Sequence, residues 1–86
     1  MMKETVTINM EQGMEARPVA MLVQVANRYD SSLYIEADDK RVNLKSIMGV
    51  MSLTLDNGDE VVVAADGSDE EQALLGVGNF LRGLAS

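Results

Sequence analysis

The sequence predicts an α+β fold of two layers, an antiparallel sheet with helices on one face. Three patterns point to it. Val6, Ile8 and Met10 alternate with polar residues, the period of a half-buried strand. Val19, Leu22, Val23 and Ala26 then follow i, i+3, i+4, i+7, the apolar stripe of a helix. Further on, short half-polar strands alternate with helical stretches, and such strands favour antiparallel pairing with one face covered.

Taken in order, the first strand covers Thr5-Val6-Thr7-Ile8-Asn9-Met10 and stops at Glu11-Gln12-Gly13. The first helix starts at Ala16, with Pro18 in its first turn, where a missing N–H costs nothing, and fades near Asn27–Tyr29. Leu33-Tyr34-Ile35-Glu36 and Arg41-Val42-Asn43-Leu44 form a hairpin about Asp38-Asp39, a turn without glycine. Ser46 is an N-cap for a short helix carrying Ile47, Met48, Val50 and Met51. Asn57-Gly58 is a turn, and Glu60-Val61-Val62-Val63-Ala64-Ala65 is a β-branched, well-buried strand closed by Asp66-Gly67. Ser68 and Glu71 have the spacing of a capping box. Leu74, Val77, Leu81 and Leu84 mark a last helix, weakened at Gly76 and Gly78 by about 1 kcal/mol each relative to alanine. The element order is β-α-β-β-α-β-α.

Composition narrows the chemistry. The chain has 86 residues, the size of one small domain, with no internal repeat or linker, so residues 1–86 are expected to form one unit. Seven Lys and Arg stand against fourteen Asp and Glu, for a net charge of −7, which opposes direct binding to nucleic acid or to anionic membrane surfaces. With no cysteine and no histidine, there are no disulfides, thiolate nucleophiles, Ser–His–Asp triads or His/Cys metal centres. No stretch is long and apolar enough to span a bilayer, and the first residues lack the apolar region of a signal peptide. The expected compartment is the cytoplasm.

Three places could carry function. Glu15 and Arg17 flank the start of the first helix, where anions are favoured; the plain reading of Glu15 is helix-end electrostatics. Ser46 is either a cap alone or a phosphorylation site, because a phosphate there meets unpaired N–H groups. Ile47, Met48, Val50 and Met51 cannot all be buried by a two-turn helix, so some are expected at the surface as a docking patch. The pairs Asp38-Asp39, Asp59-Glu60 and Asp69-Glu70-Glu71 look like turn and helix-start chemistry, without calcium-loop spacing. No metal and no cofactor is expected. A carboxylate enzyme centred on Glu15 would need a second catalytic group beside it, and the sequence offers none.

Gly13-Met14-Glu15-Ala16-Arg17-Pro18 resembles the active-site segment of the HPr family, the histidine-containing phosphocarriers of the bacterial sugar phosphotransferase system. Val42-Asn43-Leu44-Lys45-Ser46-Ile47-Met48-Gly49-Val50-Met51-Ser52-Leu53 resembles the family's regulatory-serine segment in its low-GC Gram-positive form. The resemblance spans nearly the whole chain. It implies an open-faced β-sandwich, a four-stranded antiparallel sheet covered on one face by three helices.

In that family the residue before Ala-Arg-Pro is the histidine that carries the phosphoryl group. Here it is Glu15. The resemblance therefore implies a non-catalytic relative that cannot relay phosphoryl groups through histidine. Crh-type members likewise lack the histidine and keep the serine, with glutamine where this chain has Glu15. Glu15 is either a neutral replacement or a partial imitation of phosphohistidine, about −1 against roughly −2 in charge.

By the same resemblance, Ser46 is the target of the HPr kinase/phosphorylase. The seryl-phosphorylated form would be a corepressor of a catabolite control protein A-like, LacI-type regulator in carbon catabolite repression. Arg17, Ala20, Met21, Gln24, Ile47, Met48 and Met51 would form the partner-binding surface. The alternative is a docking protein that binds Enzyme I or sugar-transporter domains without phosphoryl transfer.

Overall fold

The computed structural model describes residues 1–10 and 15–84. The turn expected at Glu11-Gln12-Gly13, and Gly13 and Met14 of the first motif, lie outside the described residues.

The elements are β1 (Met2–Thr7), α1 (Ala16–Ala26), β2 (Ser32–Ala37), β3 (Lys40–Asn43), α2 (Ile47–Met51), β4 (Glu60–Asp66) and α3 (Glu70–Leu81). Their order is the expected β-α-β-β-α-β-α. The sheet has strand order β1-β4-β2-β3, and every neighbouring pair is antiparallel. All three helices lie on one face, where Val6, Leu33, Ile35, Val61, Val63 and Ala65 meet Val19, Leu22, Ala26, Val50, Ala73, Val77 and Leu81. These alternate strand positions and helical stripes form one core, as the two periodicities require.

The other sheet face is polar. Lys3 Nζ lies 3.3 Å and Arg41 Nε 3.9 Å from a Glu36 carboxylate oxygen, and the Arg41 guanidinium sits 4.0 Å over the Tyr34 ring. Such exposed pairs add little stability. They give the open face a solvated cover of mixed charge.

Several boundaries differ from the sequence expectation. β1 begins at Met2, because Met2–Thr7 pairs with Ala65–Glu60, all of β4 but Asp66. Polar side chains obscured this stretch. Ile8 is buried although it lies past the strand, held by its N–H on the Asp59 carbonyl at 2.9 Å. The Ser68–Glu71 capping box does not form. Asp69 is the N-cap of α3 and makes no side-chain cap bond, and Glu70 Oε1 accepts the Gly67 N–H at 3.3 Å. Asp69 points away from its own helix, to the loop after α1. Leu84 is not part of the α3 stripe: the helix ends at Leu81, and Leu84 is 69% exposed.

Gly76 has a packing reason that propensity alone hides. A Cβ there would collide with the Tyr29 hydroxyl, so the glycine lets the Tyr29 ring lie against α3. Tyr29 is half-buried on the core.

The β2–β3 hairpin closes through Asp38 (φ 51°) and Asp39 (φ 63°), with Ala37 paired to Lys40. Two consecutive left-handed residues are the signature of the type I′ hairpin loop, which prefers glycine at its second position. Asp39→Gly is therefore expected to stabilise the protein by about 0.5 kcal/mol, raising Tm by about 2–4 °C. An unchanged or lower Tm would contradict the turn assignment.

Candidate functional site

The candidate site is built on α2 and the segment that leads into it. Leu44, Val50, Leu53 and Leu55 point into the core and pin the segment from both ends. Its outward positions are left to solvent: Ile47 is 45%, Met48 84% and Met51 52% exposed. The expectation that four large apolar residues cannot all be buried is met, with Val50 as the one that is.

Ser46 is the N-cap of α2. Its Oγ accepts the Gly49 N–H at 3.1 Å, and its carbonyl accepts the Val50 N–H at 3.0 Å. This is the N-cap pattern read from sequence. The residue is half-buried, so the hydroxyl is fixed in direction and still reachable.

Three neighbours that sequence reasoning did not single out position it. Asn43 Oδ1 accepts the Lys45 N–H at 2.8 Å, and the Asn43 carbonyl accepts the Ser46 N–H at 3.1 Å. An asparagine bonding two residues on is an Asx-turn, so Asn43 ahead of Ser46 was a usable signal. Lys45 Nζ donates to the Tyr29 carbonyl at 2.7 Å, which ties the α2 entry to the end of α1. A Cβ on Gly49 would stand only 3.3 Å from Ser46 Oγ, so glycine keeps the space over the hydroxyl open.

The second half of the site is the start and outer face of α1, which packs against α2. Glu15 is the N-cap residue, extended at φ −84°, ψ −178°, and its side chain makes no cap bond. It is exposed, as is Arg17. Its carboxylate is thus presented to solvent at the positive end of the helix. Ala20, Met21 and Gln24 share the outward face by their spacing. Met21 is 47% exposed, Gln24 is exposed and Ala20 half-buried. Pro18 and Val19 turn inward.

Chemically, the site offers one oriented hydroxyl, one exposed carboxylate, one exposed guanidinium and an apolar patch of thioether and aliphatic groups. Among the described residues no cluster of three acidic, histidine or cysteine side chains could hold a metal. Among them, no helix is long and apolar enough to cross a membrane.

Known proteins place this arrangement. Residues 2–82 match the family model described as the PTS HPr component phosphorylation site. The chain is 47% identical over 74 residues to the HPr-like protein Crh of Bacillus subtilis, covering 86% of this chain and 87% of that one. Among solved structures, the phosphocarrier HPr of Bacillus anthracis superposes with a TM-score of 0.90 at 40% identity, covering 93% of this chain and 95% of its own. Crh of Bacillus subtilis, solved as an intertwined dimer with a swapped domain, gives 0.81 at 41% identity over 100% of this chain and 99% of its own. With the family model spanning β1 to α3 and the same sheet-and-helix arrangement in the solved relatives, the chain belongs to the HPr family.

Proposed function

We propose that this chain is a regulatory, non-catalytic HPr-like protein switched by phosphorylation of Ser46. In this reading it acts as one domain in the cytoplasm. HPr kinase/phosphorylase transfers the γ-phosphoryl group of ATP to Ser46: Oγ attacks phosphorus, ADP leaves, and the hydroxyl proton passes to the kinase. The phosphorylated form is then a corepressor of a catabolite control protein A-like regulator.

The observation that carries the reading is the pairing of an oriented, reachable hydroxyl at Ser46 with exposed Ile47, Met48 and Met51 directly after it. A phosphoserine at this cap keeps oxygen acceptors for the Gly49 N–H and adds about two negative charges. That anion, beside the apolar patch, is a charge-assisted anchor for basic groups on a partner. Arg17, Ala20, Met21 and Gln24 extend the surface along α1. A small patch with one switchable anchor suits transient association.

Glu15 stands where the family carries its phosphoryl-accepting histidine, and the phosphorelay partners are matched to an imidazole. Phosphoenolpyruvate and Enzyme I are therefore expected to leave the protein unlabelled.

The test is intact mass after incubation with ATP, Mg²⁺ and HPr kinase/phosphorylase. One added phosphate is expected, absent in Ser46→Ala. That variant also loses the cap, about 1 kcal/mol, and melts about 4–8 °C lower, so its folding is checked by circular dichroism. No phosphate on the folded wild type overturns the reading. Binding to Enzyme I or a transporter domain without phosphate would instead support a docking protein that transfers nothing.

A further inference from the structure

The methionines of this chain are placed unusually. There are seven in 86 residues; of those described none is fully buried, and Met10 is the one packed, half-buried, against the core. Met48 is 84% and Met51 52% exposed, three residues apart and therefore on one side of α2, and Met21 is exposed on the helix packed against it. The chain has no cysteine, so no thiol of its own competes for an oxidant. The thioethers are its most readily oxidised groups.

We infer that Met48 and Met51 form a reversible oxidation site that weakens the docking face when oxidised. This rests on the docking reading above. The sulfur of Met48 attacks one oxygen of hydrogen peroxide. An S–O bond forms and the O–O bond breaks; sulfur is oxidised, the peroxide is reduced, and water leaves. The product sulfoxide is polar and chiral where the patch was apolar. Because Val50, Leu44, Leu53 and Leu55 hold the segment in place and none is a methionine, the change leaves the core intact. Oxidation then alters what the surface binds and not whether the protein folds. Methionine sulfoxide reductases, one for each of the two epimers that peroxide forms, use a dithiol as reductant, remove the oxygen as water and restore the patch.

Burying a sulfoxide against an apolar partner without a hydrogen bond should weaken binding at least about tenfold. The experiment treats the Ser46-phosphorylated protein with hydrogen peroxide, removes the oxidant, and measures binding to catabolite control protein A. Fragment mass spectrometry of the Ser46–Arg82 tryptic peptide reads the two sites separately. Sulfoxide at Met48 first, an unchanged melting curve, the tenfold loss and recovery with the two epimer-specific reductases together are the expected results. Met48→Leu/Met51→Leu, whatever its own affinity, should respond to peroxide no further. Binding by the unoxidised form that survives sulfoxide formation would overturn this inference alone. A peroxide response that persists in the double variant would overturn it as well, by placing the effect at another methionine. Absence of binding by the unoxidised, phosphorylated form would overturn the docking reading and this inference with it.

Discussion

Gly67→Ala is expected to be strongly destabilising, costing about 3 kcal/mol or more and lowering Tm by about 15 °C or more. Gly67 directly follows β4 at φ 158°, a conformation that side chains rarely adopt. A Cβ there would lie 2.7 Å from Ser31 Cα and 2.6 Å from Ser31 Oγ. The first of these atoms belongs to the backbone, which cannot swing aside. Overpacking of this kind costs about 1–3 kcal/mol, and holding a residue with a side chain in this sparsely populated backbone region adds about 1–3 kcal/mol. Ser31→Ala in the same background relieves only the clash with the hydroxyl, so it should not restore the lost stability. A thermal melt decides the matter: a variant within about 2 °C of wild type would show that the α1–β2 loop can move away from β4.

The second large effect is at the other side of the same junction. Asp69 accepts the N–H of Asp30 and the N–H of Ser31, each at 2.9 Å, and the Ser31 hydroxyl as well. Ser31 is 1% exposed, so losing this acceptor strands two buried donors. The hydrogen bond from the Ser31 hydroxyl, then that from the Asp30 N–H, hold the Asp69 carboxyl below its ordinary value of 3.8. A carboxyl whose pKa is lower in the folded state contributes stability that is complete above its unfolded pKa. That contribution is lost as pH falls through the folded value. Asp69→Asn should therefore melt well below wild type at pH 7, with the gap narrowing below about pH 4. Parallel melting curves from pH 7 to pH 2 with a constant gap would contradict the assignment. Asp69→Ala, with no acceptor at all, should be worse than Asp69→Asn at pH 7.

This junction bears on the candidate site. Asp69 holds Asp30 and Ser31, while the carbonyl of the preceding residue, Tyr29, receives Lys45, the neighbour of Ser46. The loop after α1 is thus clamped to α3 on one side and to the Ser46 segment on the other. Ser46 is presented by a frame whose fastening points lie 15 to 23 positions away in sequence.

What was legible in the sequence was local and periodic. Alternation at Val6 and Ile8, the i, i+3, i+4 spacing of Val19, Leu22 and Val23, and the β-branched run at Val61–Val63 specify which faces are apolar, and hydrophobic burial then leaves few ways to stack them. The Ser46 cap was legible for the same reason, since an N-cap bond spans three residues. So was the exposure of α2, because five helical residues cannot bury four large side chains. The resemblance that sets Glu15 against the family's histidine, and with it the proposed loss of phosphoryl relay, needed only the sequence.

Tertiary structure decided the rest. Ser68 and Glu71 have capping-box spacing, yet Asp69 found better donors in a loop brought beside it by the β2–β4 pairing of Ser32 with Asp66. Gly76 reads as a weak point in a helix until Tyr29 is seen lying on it. The strand Met2–Thr7 gains its first residues from pairing with Ala65 and Ala64, not from its own pattern. In each case the deciding partner is distant in sequence. Which long-range contact forms depends on how the whole sheet is assembled, a choice that neither propensity nor periodicity encodes.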